Sequence, residues 1–300
     1  HLLSAAARPL AVIVLNSPLP RAGVMKRLWR DSGVRICADG GSNRLFDQFN
    51  TDLVPDVIIG DFDSVRKDVI ESFRTAKVGE PVKYNTDLDK CLLYAAYHYD
   101  QHKSVLPEGD PLVAVAGSVN FAGRLDHTCS IINSLLTATM GSSKINAGEY
   151  TMRLPNKLRP ILVDPNCLAL VLPAGEHSLN LGRATSPSSD RRYYAGILPV
   201  DGSVESCSTE GFRWDCQDYR LEFGGIISAC NQINEMTEVL KIINSDPVLF
   251  TMTVESEQVT ETVSSRTGLI SSSGQLEGFK KFYSTFTGRD KVCLPRNSTE

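Results

Sequence analysis

Aromatic residues make up only 7% of this 300-residue chain, which carries two tryptophans and five histidines. No HExxH motif and no nucleophile-elbow serine occurs, which excludes the usual zinc-protease and Ser-His-Asp designs. No GxxxxGK[ST] occurs either, so any phosphate must be held by something other than a P-loop. Lys and Arg number 31 against 35 Asp and Glu, a net charge of −4. With no basic excess to neutralise a phosphate backbone, nucleic acid is not an expected partner. The eight cysteines include no CxxC pair, which excludes a zinc knuckle. Cys37 and Cys91 lie in apolar runs, and the set reads as reduced thiols of a cytoplasmic protein. No apolar run approaches the ~18 residues of a membrane span. The apolar start is broken by Arg8-Pro9 and does not read as a signal peptide. What is present is 42% hydrophobic and 22% charged, enough to build a packed core in one large or two ordinary domains.

The two halves follow different patterns. In the first, apolar runs at Ala11–Leu15, Val34–Ala38, Asp56–Ile59 and Leu112–Ala116 alternate with stretches of helical period. These are Arg21–Asp31, Arg44–Phe49, Arg66–Thr75, Leu88–Tyr99 and His127–Thr139. Such alternation predicts a parallel sheet covered by helices. In the second half, short runs separated by Gly, Pro, Asn and Asp predict antiparallel strands. They are Leu168–Leu172, His177–Leu181, Gly196–Val200, Val204–Ser208, Phe212–Cys216, Arg220–Phe223, Val239–Ile243 and Leu249–Val254. The expected fold class is α/β plus all-β, a parallel α/β domain followed by a β-sandwich. The expected bounds are 1–150, 151–255 and a polar extension at 256–300 with a helix near Leu276–Phe286. Gly141–Pro160 reads as the connection and Thr185–Arg192 as a loop.

Three predicted strands end in polar or acidic residues with glycine: Asn16, Asp39-Gly-Gly41 and Gly60-Asp-Phe-Asp-Ser64. Strand ends at one edge of an open α/β sheet are where ligands bind. Asp61 and Asp63 either bind a hard cation carrying phosphates or serve the helix that follows as caps. Thr86-Asp-Leu-Asp-Lys90 reads as a capping box with Asp in place of Glu. It also places Asp87 and Lys90 in the first turn of a helix, where phosphate is attracted. Gly117–His127 is a loop between strand and helix, with Arg124 fitted to phosphate and Asp126 to a metal or its surroundings. Trp214 is either core or an aromatic face for a flat heterocycle.

These motifs occur in a telling order. Asp39-Gly-Gly-Ser-Asn-Arg-Leu45, Gly60–Ser64, Thr86–Lys90, Gly123-Arg-Leu-Asp126, Trp214 and Ser228-Ala-Cys-Asn231 together resemble the thiamine pyrophosphokinases, over about residues 11–254. The resemblance implies transfer of a diphosphate from ATP to the hydroxyl of thiamine, releasing AMP, by a Mg²⁺-dependent homodimer. It implies Asp61, Asp63 and Asp87 as metal ligands, with Asp126 supporting them. Asp39, Asn43, Thr86, Lys90 and Arg124 would form the ATP side, and Trp214, Ser228 and Asn231 the thiamine side. Asp87 and Asp126 are the two candidates to accept the hydroxyl proton. The chain departs from the family at Val82-Lys83-Tyr84, which carries no acid, and at Cys230, which replaces a small hydroxyl residue. Two alternatives remain: a Mn²⁺- or Mg²⁺-dependent nucleotide-sugar transferase using the DxD, and a non-catalytic thiamine- or nucleotide-binding relative.

Overall fold

The computed structural model describes residues 10–79, 85–104, 106, 109–118, 124–141, 154, 156–181 and 193–254. Val82-Lys83-Tyr84, Thr185–Arg192, the extension at 256–300 and the helix expected near Leu276–Phe286 lie outside them. The described residues form two compact units, divided between Pro165 and Asn166.

In the first unit, β1 (Ala11–Val14), β2 (Val34–Ala38), β3 (Val57–Gly60), β4 (Ala76–Gly79), β5 (Leu112–Ala116) and β6 (Arg159–Val163) pair in the order β6-β5-β1-β2-β3-β4. Every pairing is parallel. The helices are α1 (Ala22–Asp31), α2 (Gly41–Phe49), α3 (Lys67–Phe73), α4 (Asp87–His102) and α5 (Leu125–Met140). Strands β1, β3 and β5 are buried along their whole length, as a sheet covered on both faces requires. Helix α1 buries Met25, Leu28 and Trp29, one stripe at helical spacing. In α4 the stripe Leu88, Cys91, Leu92, Ala95 and Ala96 is buried, and Leu93, Tyr94 and Tyr97 join it. From β1 the chain proceeds outward through β2, β3 and β4. It then returns to place β5 on the other flank of β1. That reversal is the topological switch point where open α/β sheets bind ligands.

The second unit holds two antiparallel sheets, the β-sandwich predicted from the short runs. One contains β7 (Cys167–Leu172), β14 (Val248–Thr253), β9 (Tyr194–Pro199) and β12 (Ser228–Gln232). The other orders β11 (Tyr219–Leu221), β10 (Val204–Glu210), β13 (Val239–Asn244) and β8 (Gly175–Asn180). Strand β13 alternates, with Leu240, Ile242 and Asn244 inward and their neighbours outward. The strand expected at Phe212–Cys216 is a turn with a single bridge from Phe212 to Ile233. The Asp215 carboxylate explains it, because it accepts from Gly211 N–H at 3.1 Å and Phe212 N–H at 3.1 Å and closes the chain on itself. Within Gly141–Pro160, residues Arg159 and Pro160 belong to β6 rather than to a connection.

Candidate active site

The C-terminal ends of β1, β2, β3 and β5 and the first turns of α4 and α5 surround a cleft of about 520 Å³. Its walls include Asn16, Asp39, Asp61, Asp87, Lys90 and Ser118. That size and setting suit a nucleotide-scale ligand. Because the strands are parallel, residues far apart in sequence arrive at one edge. Ser118 N–H, after β5, donates to Ser17 Oγ, after β1, at 2.7 Å, which ties the two sides of the switch point together.

The acidic centre is built from three of these segments. One carboxylate oxygen each from Asp39, Asp61 and Asp87 lie within 4.8 Å of one another. Asp39 directly follows β2 with a left-handed backbone (φ 37°) and is only 2% exposed. Its oxygens accept from Ser64 N–H at 3.2 Å and Val65 N–H at 3.0 Å. Burial pushes the Asp39 carboxyl up to about 7; the two backbone donors pull it back, and the negative charge of Asp87 adds to the rise. Gly60 permits this approach, since a Cβ there would stand 2.6 Å from the Cβ of Asp39.

Asp61 and Asp63 flank Phe62, which is also left-handed (φ 61°). Asp63 lies outside the three-oxygen cluster. It accepts from Ser64 Oγ at 2.7 Å, and that hydroxyl holds it below the ordinary carboxylate range. Asp87 opens α4 under the predicted capping box, with Asp89 N–H donating to Thr86 Oγ1 at 3.1 Å and Thr86 N–H to Asp89 Oδ2 at 3.0 Å. Burial raises Asp87; Lys90 opposes the rise, and the charges of Asp61 and Asp63 reinforce it. The Lys90 side chain is 4% exposed, and its ammonium donates to Asp87 Oδ1 at 2.9 Å. At the acidic centre three carboxylates stand against one ammonium, that of Lys90, while Arg44 and Arg124 also line the cleft. Hard oxygen donors so arranged fit a hard dication such as Mg²⁺. The three carboxylates fit it in chemistry as well as in position.

Asn43 was expected beside the nucleotide. Its amide is committed to the backbone instead: Asn43 Nδ2 donates to Ser64 O at 2.9 Å, and Arg66 N–H donates to Asn43 Oδ1 at 2.9 Å. Asn43 and Asp39 thus brace the segment that follows Asp61 and Asp63. Arg124 and Asp126 form an ion pair with each other on the exposed rim, which lowers Asp126 below the ordinary carboxylate range. Arg124 lines the cleft. Arg44, named in the Asp39–Leu45 motif but given no role, also lines it and donates from Nε to Asn16 Oδ1 at 3.1 Å. The signal was its spacing in that motif, five residues beyond Asp39.

The remaining expected residues belong to the second unit. Trp214 is 56% exposed, so it is not core, and Arg213 stacks over its ring at 4.9 Å. Asn231 is buried, and it holds the Trp214 backbone. Trp214 N–H donates to Asn231 Oδ1 at 3.3 Å, and Asn231 Nδ2 donates to Trp214 O at 2.9 Å. Ser228 begins β12, across an irregular register from Asn231.

Comparison with known proteins gives consistent results. The family description "Thiamin pyrophosphokinase, catalytic domain" matches residues 25–147, and "Thiamin pyrophosphokinase, vitamin B1 binding domain" matches residues 184–249. Thiamine pyrophosphokinase 1 of Arabidopsis thaliana is 30% identical over 262 residues, covering 82% of this chain and 86% of that protein. Thiamine pyrophosphokinase of Saccharomyces cerevisiae is 30% identical over 241 residues, 69% of this chain and 74% of that protein. Among solved structures, thiamin pyrophosphokinase from Candida albicans superposes with a TM-score of 0.67 at 21% identity, covering 82% of this chain and 88% of that one. The yeast thiamin pyrophosphokinase structure gives a TM-score of 0.65 at 18% identity, covering 84% and 88%. These two structural likenesses show the fold.

Proposed function

The chain belongs to the thiamine pyrophosphokinase family, and from that premise we propose that it transfers a diphosphate group from ATP to the hydroxyl of thiamine, yielding thiamine diphosphate and AMP. The observation that carries this reading is the convergence of Asp39, Asp61 and Asp87 beside Lys90 at the switch point of the parallel sheet. The nucleotide-sugar alternative gains no support from the relatives. A non-catalytic role sits poorly with an intact acidic centre.

The first unit would hold ATP and Mg²⁺, and the second, through Trp214, the thiamine ring. Asp39, Asp61 and Asp87 would hold the metal, with Asp63 close behind and ordered by Ser64. Bound there, Mg²⁺ would neutralise phosphate charge and polarise the transferring group. The chain's own work is positioning and electrostatics. Lys90 and Arg124 would meet phosphate oxygens, and the Ser17–Ser118 bond would fix the loop edge beside them. Both candidates to accept the hydroxyl proton have other commitments, Asp87 to the carboxylate cluster and Lys90, and Asp126 to Arg124. Asn231 would act by orienting Trp214, since its amide grips that residue's backbone. We place the enzyme in the cytoplasm as a homodimer; the free thiols of Cys37, Cys91 and Cys207 suit a reducing compartment.

ATP labelled in its β-phosphate tests the reading. Label recovered in thiamine diphosphate supports it; label recovered in ADP, with thiamine monophosphate formed, overturns it.

A further inference from the structure

Outside the cleft, the second unit brings two cysteines together. Cys207, on β10, is fully buried, and Cys216 is half-buried at the end of the turn that follows; both are free thiols. Three bonds hold Cys216 beside β10. Thr209 N–H donates to Cys216 O at 2.9 Å, Cys216 N–H donates to Thr209 Oγ1 at 3.0 Å, and Asp215 accepts from Thr209 Oγ1 at 3.0 Å. As a result Cys216 Sγ donates to Cys207 O at 3.4 Å, and the two side chains interact with each other. Two cysteines on backbones already fixed relative to each other, one sulfur touching the other residue, are placed for a bond between them.

The two thiols are also chemically unequal. The hydrogen bond from Cys207 pulls Cys216 down to about 6 against the opposing effect of burial, and Thr209 assists. The same hydrogen bond and burial push Cys207 up. Cys216 is thus the more accessible and more acidic thiol, and Cys207 the buried and less acidic one. This is the division between attacking and resolving cysteines.

We propose that Cys207 and Cys216 form a reversible dithiol site that is oxidised by low-molecular-weight disulfides of the glutathione class. Cys216 gives up its proton and its sulfur attacks one sulfur of the disulfide; that S–S bond breaks, one thiolate leaves and takes up the proton, and a mixed disulfide remains on Cys216. Cys207 gives up its proton and attacks Cys216 Sγ, expelling the second thiolate, which is protonated in turn. In sum, the protein dithiol loses two electrons and two protons, and one disulfide becomes two thiols. The product is a covalent staple across the turn that carries Trp214. The proposal stands apart from the transferase reading and survives or fails without it.

The sequence makes the test direct. Trypsin cuts after Arg213, which separates Tyr193–Arg213, containing Cys207, from Trp214–Arg220, containing Cys216. The full chain is incubated with glutathione disulfide, alkylated, digested without reductant and analysed by mass spectrometry. The expected product is the two peptides joined, two hydrogens lighter than their sum, and released by dithiothreitol. Cys207→Ser should accumulate a glutathione adduct on Cys216. Cys216→Ser should give neither cross-link nor adduct at Cys207. Exposed Cys230 is the internal control. If wild-type Cys207 and Cys216 are both alkylated while Cys230 carries the adduct, the proposal is wrong, whatever the variants do.

Discussion

Replacing Asn43 with alanine isolates the bracing of the acidic loop from direct contact with substrate. The substitution deletes two hydrogen bonds, to Ser64 O and from Arg66 N–H, each 2.9 Å long. Both are solvent-accessible, so water can partly replace them, and each contributes toward the lower end of the usual range, about 0.5–1 kcal/mol. The segment bearing Asp61 and Asp63 then loses about 1–2 kcal/mol of its preference for the observed geometry, a factor of roughly 5–30. Asp39 still holds Ser64 and Val65 from the other side, so the loop loosens without leaving. The expected outcome is a fall in kcat of that size, with a matching rise in the Mg²⁺ concentration needed for half-maximal rate. The KM for ATP should change little, because the Asn43 amide faces backbone. Steady-state AMP release across a Mg²⁺ titration measures all three. An unchanged kcat and metal requirement with a raised KM for ATP would refute the bracing role and return Asn43 to the nucleotide.

Three further perturbations probe separate parts of the account. Asp61→Asn removes one charge from the three-carboxylate cluster, and turnover should fall at least a hundredfold with an unaltered circular dichroism spectrum; retained turnover would end its metal role. His98 is depressed to about 4 from the ordinary 6.5, by burial first and by His102 second. The unfolded chain therefore binds the extra proton between those values. Stability is full above about pH 6.5 and lost as pH falls toward 4, by up to about 3 kcal/mol; urea midpoints should show this slope, and His98→Gln should flatten it. Gly41→Ala would put a Cβ 2.3 Å from Val14 O, in the backbone of β1, which cannot retreat. Such overpacking costs about 1–3 kcal/mol, and thermal melts should show a fall of roughly 2–4 °C for each kcal/mol.

Much of the first unit was legible because its strands are dense apolar runs. Val34–Ala38 and Leu112–Ala116 are strands over their full predicted lengths. Strand β4, Ala76–Gly79, has too little apolar content to register, and β6 carries Pro160 within what reads as a connection. Strand β12 exposes Ala229 and Cys230 and so lacks an apolar signature. Phe212–Cys216 has strand-like composition, but Asp215 turns its backbone back on itself. In the site, acids at strand ends were visible because parallel topology delivers strand ends to one edge. Which acids meet was not. Asp39 rather than Asp63 joins Asp61 and Asp87, because the left-handed residue between Asp61 and Asp63 lies within a turn whose N–H groups face Asp39. The commitments of Asn43 and Asn231 to backbone 17–23 residues away depend on packing that no local pattern encodes.

The most direct test of the central claim is AMP release from ATP, measured with and without thiamine and with and without Mg²⁺. The three-carboxylate cleft and the family membership predict AMP and thiamine diphosphate in equal amounts, only when both thiamine and Mg²⁺ are present. ADP as the product, or AMP released at the same rate without thiamine, would contradict it.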